Sequence, residues 1–126
     1  MSYLDVFKIK ISDFIEYLQN ILPADPVISF AGMYLEMTED KSILLKFYKY
    51  VSKYRNEIEN RDENFFIKNI GNKNNLEDNK NVIIERLKIH WKKLKDEEKS
   101  NIWKYLRTLL ILSEKYIDKN NINVSI

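Results

Sequence analysis

The stretch Leu4-Asp5-Val6-Phe7-Lys8-Ile9-Lys10-Ile11-Ser12-Asp13-Phe14-Ile15-Glu16-Tyr17-Leu18-Gln19-Asn20-Ile21 sets the fold class. Its large apolar residues Leu4, Phe7, Ile11, Phe14, Leu18 and Ile21 recur at alternating steps of three and four. That spacing lays one apolar stripe along an α-helix, whereas a strand would scatter the same residues over both faces.

The rhythm recurs downstream. Leu44, Phe47, Val51, Tyr54 and Ile58 keep it in mid-chain. Near the C-terminus two stripes run together: Trp103, Leu106 and Leu110, and Ile102, Tyr105, Leu109, Leu112 and Tyr116. A helix with so broad an apolar face sits centrally, with neighbours on both sides. The chain is therefore expected to be all-α, a compact helical bundle of four main helices plus one or two short helices, with adjacent helices antiparallel.

Composition narrows the chemistry. The 126 residues fit one domain, and an apolar content of 44% suffices for one core. There is no cysteine, so disulfides, thiolate metal sites and thiol nucleophiles are excluded. No run reaches the ~18 apolar residues of a membrane helix. The N-terminal Met1-Ser2-Tyr3-Leu4-Asp5 lacks the basic flank and apolar run of a signal peptide. A cytoplasmic location is expected. Up to Asp40, only Lys8 and Lys10 oppose Asp5, Asp13, Glu16, Asp25, Glu36, Glu39 and Asp40, a balance of −5; with a net charge of +2 the remainder holds +7. The protein is thus expected to be a dipole. Abundant Lys, Asn and Ile share AT-rich codons and speak of the genome rather than of chemistry.

Punctuation places the elements. The first helix runs from about Tyr3 to Leu22, where Pro23 stops it. Asp25 with Pro26 starts a short helix through Ile28, Phe30, Ala31, Met33 and Tyr34. Thr38 or Asp40 caps a third helix reaching about Asn60, and Asp62 opens a turn carrying Phe65 and Phe66 as a core plug. Residues 71–81 are polar and Asn-rich, a loop. Asn81 caps a helix with Ile84, Leu87, Trp91 and Leu94 inward, and Asp96 caps the last long helix, favoured by Glu97 and Glu98. Residues 1–118 form the expected single domain and 119–126 a flexible tail.

Catalytic machinery is sparse. His90 is the one histidine, and its setting between Ile89 and Trp91 reads as a boundary position. Neither a Glu-x-x-His nor a His-x-x-x-His metal spacing occurs, and no Gly-x-Ser-x-Gly elbow. With only Gly32 and Gly71, no glycine-rich phosphate loop can be written. Glu57, Glu59, Asp62 and Glu63 lack the alternation of a calcium loop and read more simply as capping and solvated groups. A non-enzyme is expected, with no catalytic residue, metal or other cofactor and no small-molecule substrate.

Two surfaces compete as binding sites. Tyr48, Tyr50 and Tyr54, among eight tyrosines, suit a protein contact, since tyrosine offers a large ring with a wet hydroxyl. Lys46, Lys49 and Lys53 line one helix side, and Arg86, Lys88, Lys92 and Lys93 crowd another, a set able to neutralise nucleic-acid phosphates. Interleaved Glu85, Asp96, Glu97 and Glu98 favour a plain solvated face. Trp91 and Trp103 follow the inward rhythm and suit a core better than base stacking.

Several pieces form a further pattern: Phe14-x-x-x-Leu18 before Leu22-Pro23, then Arg61-Asp62-Glu63-Asn64-Phe65-Phe66, then Trp91-x-x-Leu94 with Lys99-x-x-Ile102-Trp103-Lys104-Tyr105-Leu106. Over most of the chain this resembles small all-helical proteins of nucleocytoplasmic large DNA viruses, the giant viruses. The resemblance implies a helical fold and a place in infected host cytoplasm or the virion; it transfers no functional residue. The expectation is a non-enzymatic interaction or structural protein with a protein partner or a second copy of itself. The alternative is a nucleic-acid-associated protein using the lysine-rich faces; no membrane contact is expected.

Overall fold

The computed structural model describes residues 1–67 and 81–123. Among them every regular element is helical, and no helix is long and apolar enough to cross a membrane. The loop expected at 71–81 lies outside the described residues except for Asn81.

Helix α1 (Tyr3–Ile21) opens with a capping box. Ser2 Oγ accepts from the Asp5 amide at 3.1 Å, and the Asp5 carboxylate accepts from the Ser2 amide at 3.3 Å. Its buried face is Phe7, Ile11, Phe14, Ile15 and Leu18. Helix α2 (Pro26–Met37) starts at the expected Asp25-Pro26 pair, with Asp25 Oδ1 accepting from the amides of Val27 and Ile28.

Helix α3 (Asp40–Val51) has Glu39 as its N-cap and no side-chain capping bond. The single helix expected to reach Asn60 is instead broken. A 3-10 turn (Ser52–Tyr54) tightens the backbone before α4 (Arg55–Glu59). The inward stripe survives the change: Leu44, Phe47, Val51 and Ile58 are all buried. At the end of α4, Arg61 takes a left-handed φ of 50°, and Asp62 N–H reaches back to the Glu57 carbonyl at 2.8 Å. This is a Schellman ending with arginine in the place glycine usually fills.

Asp62 Oδ1 accepts from the Asn64 amide as α5 (Asn64–Ile67) begins. Asn81 caps α6 (Val82–His90) through Ile83 and Ile84, and a 3-10 turn (Trp91–Lys93) follows. Asp96 is the first residue of α7 (Asp96–Lys119) rather than its cap; the preceding Lys95 amide donates to Glu98 at 2.9 Å.

Of the flexible tail expected at 119–126, residues 124–126 lie outside the described residues. Lys119 is still helical, and Asn121 turns left-handed at φ 51°. Ile122 N–H then returns to the Ile117 carbonyl at 3.1 Å, and the Ile122 side chain packs on the core. Residues 120–123 thus finish a Schellman motif, closed by the apolar contact that often accompanies it.

Helix α7 is the axis of the bundle. Tyr17 lies beside Asn101, Phe14 stacks on Tyr105, and Tyr3 sits under Lys115 and Lys119, so α1 runs antiparallel to α7. On the other flank Arg55 Nη1 donates to both Glu114 oxygens, at 2.8 and 2.7 Å, and Arg107 reaches Glu59, so α4 is antiparallel to it as well, and α3 also packs on α7. At the lower end an aromatic plug fills the core. The ring of Phe66 stacks on Trp91 at 3.9 Å and meets Trp103 at 5.1 Å and Phe65 at 4.8 Å.

Candidate functional site

Tyr48, Tyr50 and Tyr54 do not make an outward patch. Tyr50 is buried, and Tyr48 and Tyr54 are half-buried against the core. Tyr50 belongs to a polar triangle joining α3 to α6. Its hydroxyl lies 3.3 Å from Glu85 Oε2 and 3.3 Å from Lys88 Nζ, and Lys88 pairs with Glu85 at 2.8 Å. Burial pushes the Tyr50 phenol up, and the neighbouring Glu85 carboxylate pushes it further. The ring is therefore neutral and its hydroxyl is a fixed bridge.

That triangle also takes Lys88 out of the basic face, since only 5% of it is exposed. Arg86 is committed as well, its Nε donating to Asp25 at 2.8 Å. Lys46, Lys49 and Lys53 on the α3 side and Lys92 and Lys93 after α6 are exposed. Of the seven basic residues read as a phosphate-binding set, five are thus outward, and they lie in two separate groups.

The Arg86 partner is the centre of a second cluster. The Asp25 carboxylate has no side-chain exposure, yet it receives His90 Nε2 at 2.7 Å as well as Arg86. Burial pushes its acidity constant up, but the bonds from His90, Arg86 and the Ile28 and Val27 amides outweigh it and hold the value at about 2. An ionised carboxylate only accepts, so His90 must present an Nε2–H. The arrangement resembles an oriented acid–histidine pair, but the same oxygen also holds Arg86. Neither Asp25 nor His90 lines the clefts found around α2. It is a clamp that locks the N-terminus of α2 onto the end of α6.

Glu59 and Glu63 near α4 are similarly occupied. Glu59 meets Arg55 and Arg107, and Glu63 accepts from Trp91 Nε1 and Lys99. Among the described residues no three His, Asp or Glu side chains gather closely enough to hold an ion.

What the structure leaves outward is the far side of α2. Only Ile28 and Ala31 of its twelve residues are buried. Phe30 is 64% exposed, Met33 56%, Tyr34 50% and Met37 79%. These positions are i, i+3, i+4 and i+7, one continuous helical face. Pro26, also exposed, extends it. The only charged residue of α2, Glu36, stands to one flank. Exposed Val82 and Ile89 lie on the side of α6 that carries Arg86. Tyr34 and Val82 also line an apolar cleft of about 390 Å³, which Lys46 and Lys49 share. At roughly 150–250 Å² for each large side chain, the four stripe residues expose about 500 Å². Scattered apolar residues on a surface are normal, whereas this patch is continuous and lies toward the upper end of what a single chain exposes.

Sequence inspection places Phe30, Met33 and Tyr34 in a helix without giving their direction. The available signal was a second stripe, Ile28, Ala31 and Leu35, sharing the same twelve residues. One helix with two apolar faces and one neighbouring layer must leave one face out. Comparison of the chain with models of known families, with curated proteins and with solved structures gives no significant match.

Proposed function

We propose that this protein is a helical interaction or structural module that works by seating another protein on the outer face of α2. The observation that carries this reading is the uncharged stripe Phe30, Met33, Tyr34 and Met37, exposed on a helix fixed at its base by the Asp25 clamp. A rigid helix presenting an i, i+3, i+4, i+7 apolar row is a recurrent protein-recognition device. The side chains suit it: methionine adapts to irregular partners, and aromatic rings supply large contact area at low entropic cost. Under the resemblance to small giant-virus proteins, the role would be that of a virion component or a binder of a host factor.

The chain has no cysteine, so one introduced thiol can be labelled uniquely. A benzophenone carried on Met33→Cys is expected to photo-crosslink to protein of discrete mass in extracts of the native cell. The yield should fall when unlabelled wild-type chain competes. The same label on Lys104→Cys, an exposed position of α7, should give little. Equal crosslinking from both positions, or none from either, would count against the proposal.

A further inference from the structure

We infer that the occupant of the α2 face is a second copy of this chain, packed α2 against α2 in antiparallel fashion about a two-fold axis. The inference rests on the reading of α2 as a protein-binding surface and names its partner.

Three features support it. The first is the absence of charge along the row Pro26, Phe30, Met33, Tyr34 and Met37. In a two-fold contact each patch meets itself, so any charge near the axis would face its own like. A patch without charge meets that condition directly.

The second is size. With Val82, 58% exposed and lining the same cleft as Tyr34, the apolar surface available on one copy is roughly 600 Å². Two copies bring together about 1,200 Å², which reaches the range of a specific, stable interface.

The third is the charge at the two ends. Glu36 and Glu39 are exposed at the C-terminal end of α2. The N-terminal end is locked to the end of α6 through Asp25, Arg86 and His90, and the next turn carries exposed Lys92 and Lys93. Antiparallel packing carries the acidic end of one copy toward the lysine-bearing end of the other and opposes the helix dipoles favourably. Parallel packing would set Glu36 and Glu39 against themselves.

Symmetry then fixes a register. The stripe is centred between Met33 and Tyr34, so Phe30 of one copy faces Met37 of the other. At 1.5 Å per residue, two Met33 residues lie nearly level across the two-fold axis, while two Met37 residues are about 10 Å apart along the helix direction. A disulfide needs Cα atoms closer than about 7 Å. Under mild oxidation, Met33→Cys should crosslink to itself, Met37→Cys alone should not, and Phe30→Cys mixed with Met37→Cys should.

The deciding experiment is sedimentation velocity on the purified full chain across a dilution series. The expected result is a reversible species of twice the 15.2 kDa chain mass. Phe30→Glu with Met37→Glu sets carboxylate against carboxylate and should weaken association at least about 100-fold with an unchanged helical circular dichroism spectrum. Phe30→Glu with Met37→Lys sets opposite charges face to face in this register and should restore most of the association. A chain that stays monomeric at every concentration overturns the inference, as does a dimer that survives the paired glutamates. If the chain is monomeric yet Met33→Cys captures a different protein in extracts, the second copy is excluded while the α2 surface stands. If neither binds, both fall.

Discussion

Replacing Phe66 by alanine is expected to lower stability by about 3–5 kcal/mol, the usual cost of emptying a buried aromatic site. Phe66 is fully buried, stacked on Trp91 and set against Trp103 and Phe65. It sits in a four-residue helix that cannot persist alone, because so short a segment cannot meet the cost of helix nucleation. Its ring ties that segment to the turn after α6 and to the first half of α7. Both tryptophans of the chain line the space it would vacate, so neither can close it without leaving its other neighbours. Denaturant unfolding followed by tryptophan fluorescence reads both effects together: a lowered midpoint and an altered native spectrum. Phe66→Leu, which keeps most of the volume, should recover more than half of the loss. A cost below about 1 kcal/mol for the alanine variant would mean that the plug is not the support described here.

Asp25→Ala is the second large effect, at about 2–4 kcal/mol, because it removes the buried carboxylate that both Arg86 and His90 bond and that caps α2. Arg86 and His90 lose their shared acceptor, and α2 loses the oxygen that caps Val27 and Ile28. Asp25→Asn should also be costly. It can keep the cap but turns an amide N–H₂ or a weaker acceptor toward Arg86 and His90. The carboxylate also leaves a mark on pH dependence. Its value is about 2 in the folded chain against 3.8 unperturbed, so the unfolded chain takes up the proton first as pH falls. The contribution, on the order of 2 kcal/mol, is complete above about pH 4–5 and is lost as pH falls through 2. Stability measured by urea unfolding between pH 5 and 2 should fall less steeply in Asp25→Ala than in the wild type. Parallel curves would show that Asp25 is not held in this way.

Much of the architecture was legible because apolar periodicity reports which residues turn inward. The stripes of α1, α3 and α7, the Asp25-Pro26 start and the Asn81 cap all have local causes, and the structure carries them. The doubled stripe on α7 anticipated its place between α1 and the α3–α4 pair. What failed depends on geometry at a distance. Lys88 looked like surface because lysine usually is, yet it lies one helical turn after buried Ile84, and Tyr50 and Glu85 satisfy its charge in the interior. Tyr50 looked like a partner contact because tyrosine pairs a large ring with a hydroxyl that is usually wet, and that hydroxyl proves to be part of the same bridge. His90 read as a boundary residue, but its bond to Asp25, 65 positions away, could not be seen along the chain. The stripe on α2 was visible as residues and hidden as a surface. Ile28 and Ala31 face the bundle and Phe30, Met33 and Met37 face away, a choice made by packing on α1 and α6 rather than by pattern.

Under the proposed function the outer face of α2 is covered when the protein works. Met33 and Met37 lie in that face, and their thioethers report access to oxidant directly. Lys104→Met, at an exposed position of α7, supplies an outward reference. A brief hydroxyl-radical pulse, read by mass spectrometry, should oxidise all three positions in dilute purified protein. In the native cell the same pulse should leave Met33 and Met37 several-fold protected relative to the reference at 104. Equal oxidation of the three in the cell would contradict the account.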